Sequence, residues 1–275
     1  MSVLLVEGLS KKFGGLNAVE DLSFEIHPGA VYSIIGPNGA GKTTLLNLLS
    51  GVYQPSGGRI AFGEHELTGR APYEFAGRGI ARTFQNLQVF FNMSALENVM
   101  VGRYLHERCG LASALLRSSR LTRAERACRE EAAEIMNYVG LHNYLATAAD
   151  AMPYGALKRL EIARALATEP KLMLLDEPAA GLNPTEALEL DHLIGRLTER
   201  GVTVVLVEHN MRLVMGVSDH ILVLDYGRKL AEGPAAVVRN DPKVIEAYLG
   251  SAVAHDGSYG EAIAGAVAVA VEMRR

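Results

Sequence analysis

Cysteine is scarce: of 275 residues only Cys109 and Cys128 are thiols, and neither belongs to a CxxC pair. A four-ligand thiolate metal site is excluded, and the usage fits a reduced compartment in which both are structural. Long apolar runs are missing too. Nowhere do the roughly 18 to 20 consecutive apolar residues needed to cross a bilayer occur; the nearest case, Ala262 to Val271, is short and rich in Ala. Met1 to Glu7 carries no basic stretch followed by a long apolar run, so no secretory signal is read there and the chain is expected in the cytoplasm. Basic excess is absent, with a formal net charge of -4, which argues against nonspecific binding to nucleic-acid phosphates. Any polyanion must be held by a local site. A hydrophobic content of 49% allows a large core, in one large domain or a domain with a smaller lobe.

Short apolar runs rich in β-branched residues, Val3 to Val6 and Leu22 to Ile26, are punctuated by Gly14, Gly15, Pro28 and Gly29 and read as strands. Ala30 to Ile35 is a further strand, followed at once by the Gly-rich Gly36 to Gly41 and by a leucine-rich helical stretch, Thr43 to Ser50. Arg59 to Phe62 beside Gly57 and Gly58 reads as a hairpin arm, so an antiparallel sheet is expected next to the start of a parallel one. From Ser94 to Tyr144 the period becomes helical, with Ile135, Met136 and Val139 on one face. Lys171 to Leu175 and Val202 to Val207 are continuous apolar runs separated by a helical stretch, the pattern of buried parallel strands joined by a crossover. Ile221 to Leu224 adds a strand closed by Asp225, Tyr226 and Gly227. From Ser251 the chain turns rich in Ala, Val and Gly, a mobile tail or one short helix.

Three stretches carry chemistry. Gly36-Pro37-Asn38-Gly39-Ala40-Gly41-Lys42-Thr43 matches G-x-x-x-x-G-K-[ST] in full, between a strand and a helix as that pattern requires. Glycines let successive N–H groups curl around phosphates, the helix dipole favours anions, Lys42 supplies a charge and Thr43 a hydroxyl for Mg²⁺. Asp176 and Glu177 follow Leu172 to Leu175 at the end of a buried strand, where doubly wound sheets form their ligand crevice. Asp176 is expected to hold Mg²⁺ through water and Glu177 to polarise the attacking water. Val202 to Val207 ends in Glu208 and His209 at the same edge, which places His209 within reach of a γ-phosphate.

With these motifs in place, the chain resembles the nucleotide-binding subunits of ABC transporters from about Val3 to Leu249. The resemblance implies an α/β fold: a P-loop NTPase core with a mixed, mostly parallel sheet, an antiparallel β subdomain and an inserted helical subdomain. It places the nucleotide-binding domain at residues 1–250, the helical subdomain at about 94–165, and a C-terminal extension of unassigned role at 251–275. Phe13 in Lys12-Phe13-Gly14-Gly15 fits the aromatic that stacks on adenine, with core packing as the alternative. Gln85 in Arg82-Thr83-Phe84-Gln85-Asn86 fits the glutamine that senses Mg²⁺ and the membrane partner, and Thr44 completes the phosphate contacts. Leu87, Val89, Phe90, Phe91 and Met93 are expected either to line a groove for a short permease helix or to pack in the core.

Two departures from the family pattern stand out. The signature loop, L-S-G-G-Q in the family, is here Met152-Pro153-Tyr154-Gly155-Ala156; Pro153 replaces the serine and Ala156 the glutamine, while Tyr154 and Gly155 remain to contact nucleotide. Backbone donors and the dipole of the following helix must then carry the phosphate contact, with slower hydrolysis or greater dependence on the partner's loop. Asn183 stands where the family commonly has Asp. The tyrosine-glycine signature, the Arg-Thr-Phe-Gln-Asn stretch and Pro178 to Pro184 together resemble the branched-chain amino-acid importer branch.

The resemblance implies ATP and Mg²⁺ as ligands, a second ATPase subunit as homo- or heterodimer partner, and transmembrane permease subunits. An extracytoplasmic substrate-binding protein acts indirectly, nucleic acid is no partner, and the chain lies peripherally on the inner face of the cell membrane. Import of urea or amides, lipid export, and a soluble ABC ATPase are the alternatives. Against the last, this chain shows neither the long coiled coils of chromosome-handling members nor the paired domains of translation-associated ones.

Overall fold

A computed structural model describes residues 2–104 and 119–254. Cys109 and the stretch Ala262 to Val271 lie outside the described residues; Cys128 is buried.

Two sheets divide the strands. The first is antiparallel, in the order β2 (Leu16–Ile26), β1 (Leu4–Phe13), β4 (Gly57–Phe62), β5 (His65–Glu66). The second has the order β10 (Arg228–Gly233), β9 (His220–Asp225), β3 (Val31–Ile35), β8 (Thr203–Val207), β7 (Leu172–Asp176), β6 (Ile80–Arg82). Its pairings are parallel except between β9 and β10. β1 and β2 run further than the short apolar clusters indicated, because their ends at Lys12 to Phe13 and Leu16 to Asn17 pair with each other around the Gly14-Gly15 turn although none of these residues is buried.

Period-two alternation assigns the two faces of the second sheet. Leu172, Leu174, Val205 and Val207 join a cluster with the first sheet and with α1 (Lys42–Leu49), whose Leu45, Leu46, Leu48 and Leu49 are buried between the sheets. Met173, Leu175, Val204 and Leu206 face the opposite way, into a core shared with the helical elements. Both faces are covered, which is why these strands read as unbroken apolar runs. After α2 (Pro72–Ala76) and β6, the chain enters those helical elements: α3 (Ala95–Arg103), α4 (Ser119–Tyr138), a short 3₁₀ turn His142–Tyr144, and α5 (Tyr154–Leu166). Met136 and Val139 are buried in this core and Ile135 packs against it, as the helical spacing predicted.

The crossover between β7 and β8 is α6 (Pro184–Glu199), capped by Asn183, whose Oδ1 accepts from the Thr185 and Glu186 amides, each at 3.0 Å. α7 (Met211–Val217), α8 (Ala235–Val238) and α9 (Pro242–Ala254) complete the described chain. α9 carries the first residues of the Ala-rich tail, Ser251 to Ala254, as helix.

A phosphate cradle at the carboxyl edge of the parallel sheet

β3, β7 and β8 are parallel, so their carboxyl ends share one edge, and each opens there into a loop identified from sequence. After β3 the chain turns through Gly36 to Gly41 into α1. Gly41 has φ +98°, and a Cβ there would sit 2.4 Å from the Ala18 carbonyl oxygen; only glycine allows this turn so close to β2. The loop is tied from outside by the Gly227 amide, which donates to Ala40 O at 3.0 Å. No side chain caps α1, so its first-turn amides stay available to an anion. Lys42 folds back, its Nζ donating to the carbonyls of Gly36 (2.7 Å) and Pro37 (3.0 Å). Burial lowers its pKa while Glu177 and Asp176 oppose that shift. Thr43 and Thr44 occupy the first turn beside it.

At the end of β7, Asp176 continues the alternation of Leu172 and Leu174 and points to the α1 side; Glu177 leaves it. Glu177 adopts a left-handed φ of +47°, with its amide donating to Val207 O at 2.8 Å. That turn carries its carboxylate out of the sheet, where Gln85 Nε2 donates to Oε2 at 3.0 Å and His209 Nδ1 stands 3.8 Å from the same oxygen. Gln85, Glu177 and His209, found separately in the sequence, therefore meet around one carboxylate oxygen. Glu208 turns inward: wholly buried, it accepts from the Ala179 amide at 2.8 Å and the His209 amide at 3.1 Å, bracing the loops after β7 and β8.

Phe13 lies at the end of β1, 43% exposed, with Tyr53 packed edge-on at 5.3 Å between centroids and Lys11 Nζ 4.9 Å from its ring centre. One side of the ring is supported and the rest is open, which favours a stacking surface over a core role. The segment after Gln85 divides the two expected roles. Leu87 and Val89 pack on the core, whereas Phe90 and Phe91 are 44% and 47% exposed. Buried Asn98 holds this loop, accepting from the Phe90 amide at 2.8 Å and donating to the Phe90 and Ser94 carbonyls at 3.0 Å.

The signature residues start α5. Pro153 is its N-cap and offers no side-chain bond, so the amides that follow are uncapped. A Cβ on Gly155 would fall 2.3 Å from Glu186 Oε1, so glycine lets this start lie against the first turn of α6. Tyr154 sits beside Gly181. Asn183 stands at the start of α6, with its side-chain oxygen committed to the α6 cap.

Two residues given no role from sequence belong to the site. Arg82 makes a buried ion pair with Asp176 at 3.0 Å. Lys158, also buried, donates from Nζ to the Gln85 carbonyl at 3.1 Å. Neither was visible as such, because a single basic residue gains meaning only from what folds against it; for Arg82 the signal was its place in the Arg-Thr-Phe-Gln-Asn stretch.

The family of ABC transporters matches residues 19–180, and the branched-chain amino acid ATP-binding cassette transporter family matches residues 228–254. The high-affinity branched-chain amino acid transport ATP-binding protein BraF of Pseudomonas aeruginosa is 44% identical over 251 residues, covering 91% of this chain and 98% of its own. LivG of Escherichia coli, described in the same words, shows the same identity and coverage. A crystal structure of a nucleotide-free ATP-binding cassette from an ABC transporter superposes with a TM-score of 0.79 at 33% identity, covering 90% of this chain and 99% of that one. This chain belongs to the ATP-hydrolysing, ATP-binding proteins of ABC transporters, in the branched-chain amino-acid transport family.

Proposed function

We propose that this chain powers the import of branched-chain amino acids, sitting on the inner face of the cell membrane against permease subunits fed by an extracytoplasmic binding protein. The observation that carries the ATPase part is the convergence of Gln85, Glu177 and His209 beside the phosphate loop. The cargo is read from the branched-chain family match and the relatives' names, not from any residue that would touch it.

The donor set fits Mg²⁺. Thr43 offers a hydroxyl, Asp176 a carboxylate and Gln85 an amide oxygen, all hard oxygen ligands of the kind that cation takes together with phosphate and water. Arg82 occupies Asp176 Oδ2 and Glu177 engages Gln85 Nε2, leaving Oδ1 and Oε1 for the metal. When bound there, Mg²⁺ would neutralise charge on the β- and γ-phosphates. The chain's own groups do the rest. Main-chain amides from Gly39 to Thr44 hold the phosphates, Lys42 exchanges its two carbonyl partners for phosphate oxygens, Phe13 supports the base, Glu177 orients the attacking water, and His209 steadies the γ-phosphate.

Residues 1–250 form the nucleotide-binding unit and about 94–165 its helical subdomain. Two cassettes pair head to tail, so that the open amides of α5, with Tyr154 and Gly155, face the nucleotide of the partner, and Asn183 acts at that junction by holding the start of α6. The partner is a copy or a related chain. The exposed Phe90 and Phe91 receive a permease segment, while Leu87 and Val89 anchor the loop that carries them.

Reconstitution with the permease subunits in proteoliposomes tests this. ATP hydrolysis is expected to rise when binding protein loaded with leucine, isoleucine or valine is supplied. Stimulation by a different cargo and by none of these three would overturn the import assignment and leave the ATPase assignment intact.

A further inference from the structure

The Arg82 guanidinium reaches three parts of the site at once. Its Nη2 donates to Asp176 Oδ2 at 3.0 Å, and its Nη1 donates to Asn47 Oδ1 at 2.7 Å and Ser50 Oγ at 2.8 Å. Its face lies 4.8 Å from the centre of the Phe84 ring, the residue preceding Gln85. The arrangement is dry: the Arg82 and Asp176 side chains are 6% and 4% exposed. Alternation along the strands explains the meeting. Ile80 on β6 faces α1, Ala81 faces away, and Arg82 faces α1 again, on the same side of the sheet as Asp176. On α1, Asn47 lies one turn beyond Thr43 and so on the same helix face.

We propose that Arg82 is a positioning residue for the Mg²⁺ site: it sets the separation of Thr43, Asp176 and Gln85 by clamping together the three elements that carry them. This inference rests on the reading of those three residues as metal ligands given above. The bond to Oδ2 restrains rotation of the Asp176 carboxylate and leaves Oδ1 outside the clamp's hydrogen bonds. The bonds to Asn47 and Ser50 fix the register of α1 against β7, and stacking on Phe84 holds the start of the Gln85 segment. A planar fork of fixed geometry is required for this; a lysine keeps the charge but, as a point donor, cannot span the three partners.

The test is calorimetric titration of ATP into the full-length subunit across a series of Mg²⁺ concentrations, with no turnover needed. In Arg82→Lys and Arg82→Met, ATP binding without Mg²⁺ is expected to stay at the wild-type level, while the Mg²⁺ concentration that half-maximally tightens binding rises about 10- to 100-fold, the usual cost of losing a partner behind a metal ligand. Asn47→Ala with Ser50→Ala leaves the ion pair in place and is expected to shift the Mg²⁺ requirement in the same direction by less, which keeps the proposal testable if the Arg82 variants do not fold. An unchanged Mg²⁺ requirement, rescue by lysine, or equal loss of Mg²⁺-free and Mg²⁺-bound affinity would overturn it. A wild-type subunit whose ATP binding ignores Mg²⁺ would instead overturn the assignment of the ligands, and the clamp with it.

Discussion

α1 and α5 both begin without a capping side chain, and they differ in what surrounds them. α3, α6 and α7 start on Ser94, Asn183 and Asn210, whose side chains satisfy first-turn amides. α1 starts on Gly41 and α5 on Pro153, and neither supplies such a bond. A helix start left open in this way costs stability of about 1 kcal/mol relative to a good cap. Around α1 the same chain provides Lys42, Asp176, Glu177 and Gln85. Around α5 it provides Tyr154, exposed at 44%, and the capped start of α6. On the reading proposed above, the comparison makes the first start a complete phosphate site and the second half of one that another cassette completes.

The largest expected effect falls on the complete site. Replacing Glu177 with Gln removes the group proposed to orient water and is expected to lower turnover about 10²- to 10⁴-fold, with ATP binding by calorimetry unchanged; full turnover in that variant would break the assignment. Lys42→Met tests the cradle itself. Losing charge-assisted bonds worth ~1.5–3 kcal/mol should weaken ATP binding about 10- to 100-fold, and an unchanged affinity would make the two helix starts equivalent. Phe13→Ala should weaken ATP binding about tenfold, because base stacking on an aromatic contributes ~1–3 kcal/mol, and should weaken inorganic triphosphate binding not at all. Smallest is the effect at α5. Pro153→Ser restores a capping hydroxyl and should raise the melting temperature by about 2–4 °C, as ~1 kcal/mol does in a domain of this size, without altering ATP affinity of the isolated subunit. A change in that affinity would show α5 acting on the nucleotide of its own chain.

The helix N-cap at Asn183 shows the same division in a single residue. Asn183 stands where the family commonly has Asp, and it accepts the Thr185 and Glu186 amides as a cap should. Asn and Asp are near-equivalent at that position, so the local fold tolerates either. What the exchange removes is a charge.

Local rules sufficed for the phosphate-loop motif, the carboxylate pair after β7 and the positions of the buried strands along the chain, because each depends on neighbours in the chain: glycines before a helix, acids after an apolar run, unbroken apolar runs between turns. The family resemblance extended the expected site to Phe13, Gln85, Tyr154 and Gly155. Tertiary structure alone decided which atoms meet. It turned Glu177 out of β7 toward Gln85 and His209, split Leu87 and Val89 from Phe90 and Phe91, buried Glu208 and Lys158 as braces, and set Arg82 between Asn47, Ser50 and Asp176. Those choices depend on which strands lie side by side and which face each residue takes, and the pairing of β6 with β7, some ninety positions apart, is written in no local pattern.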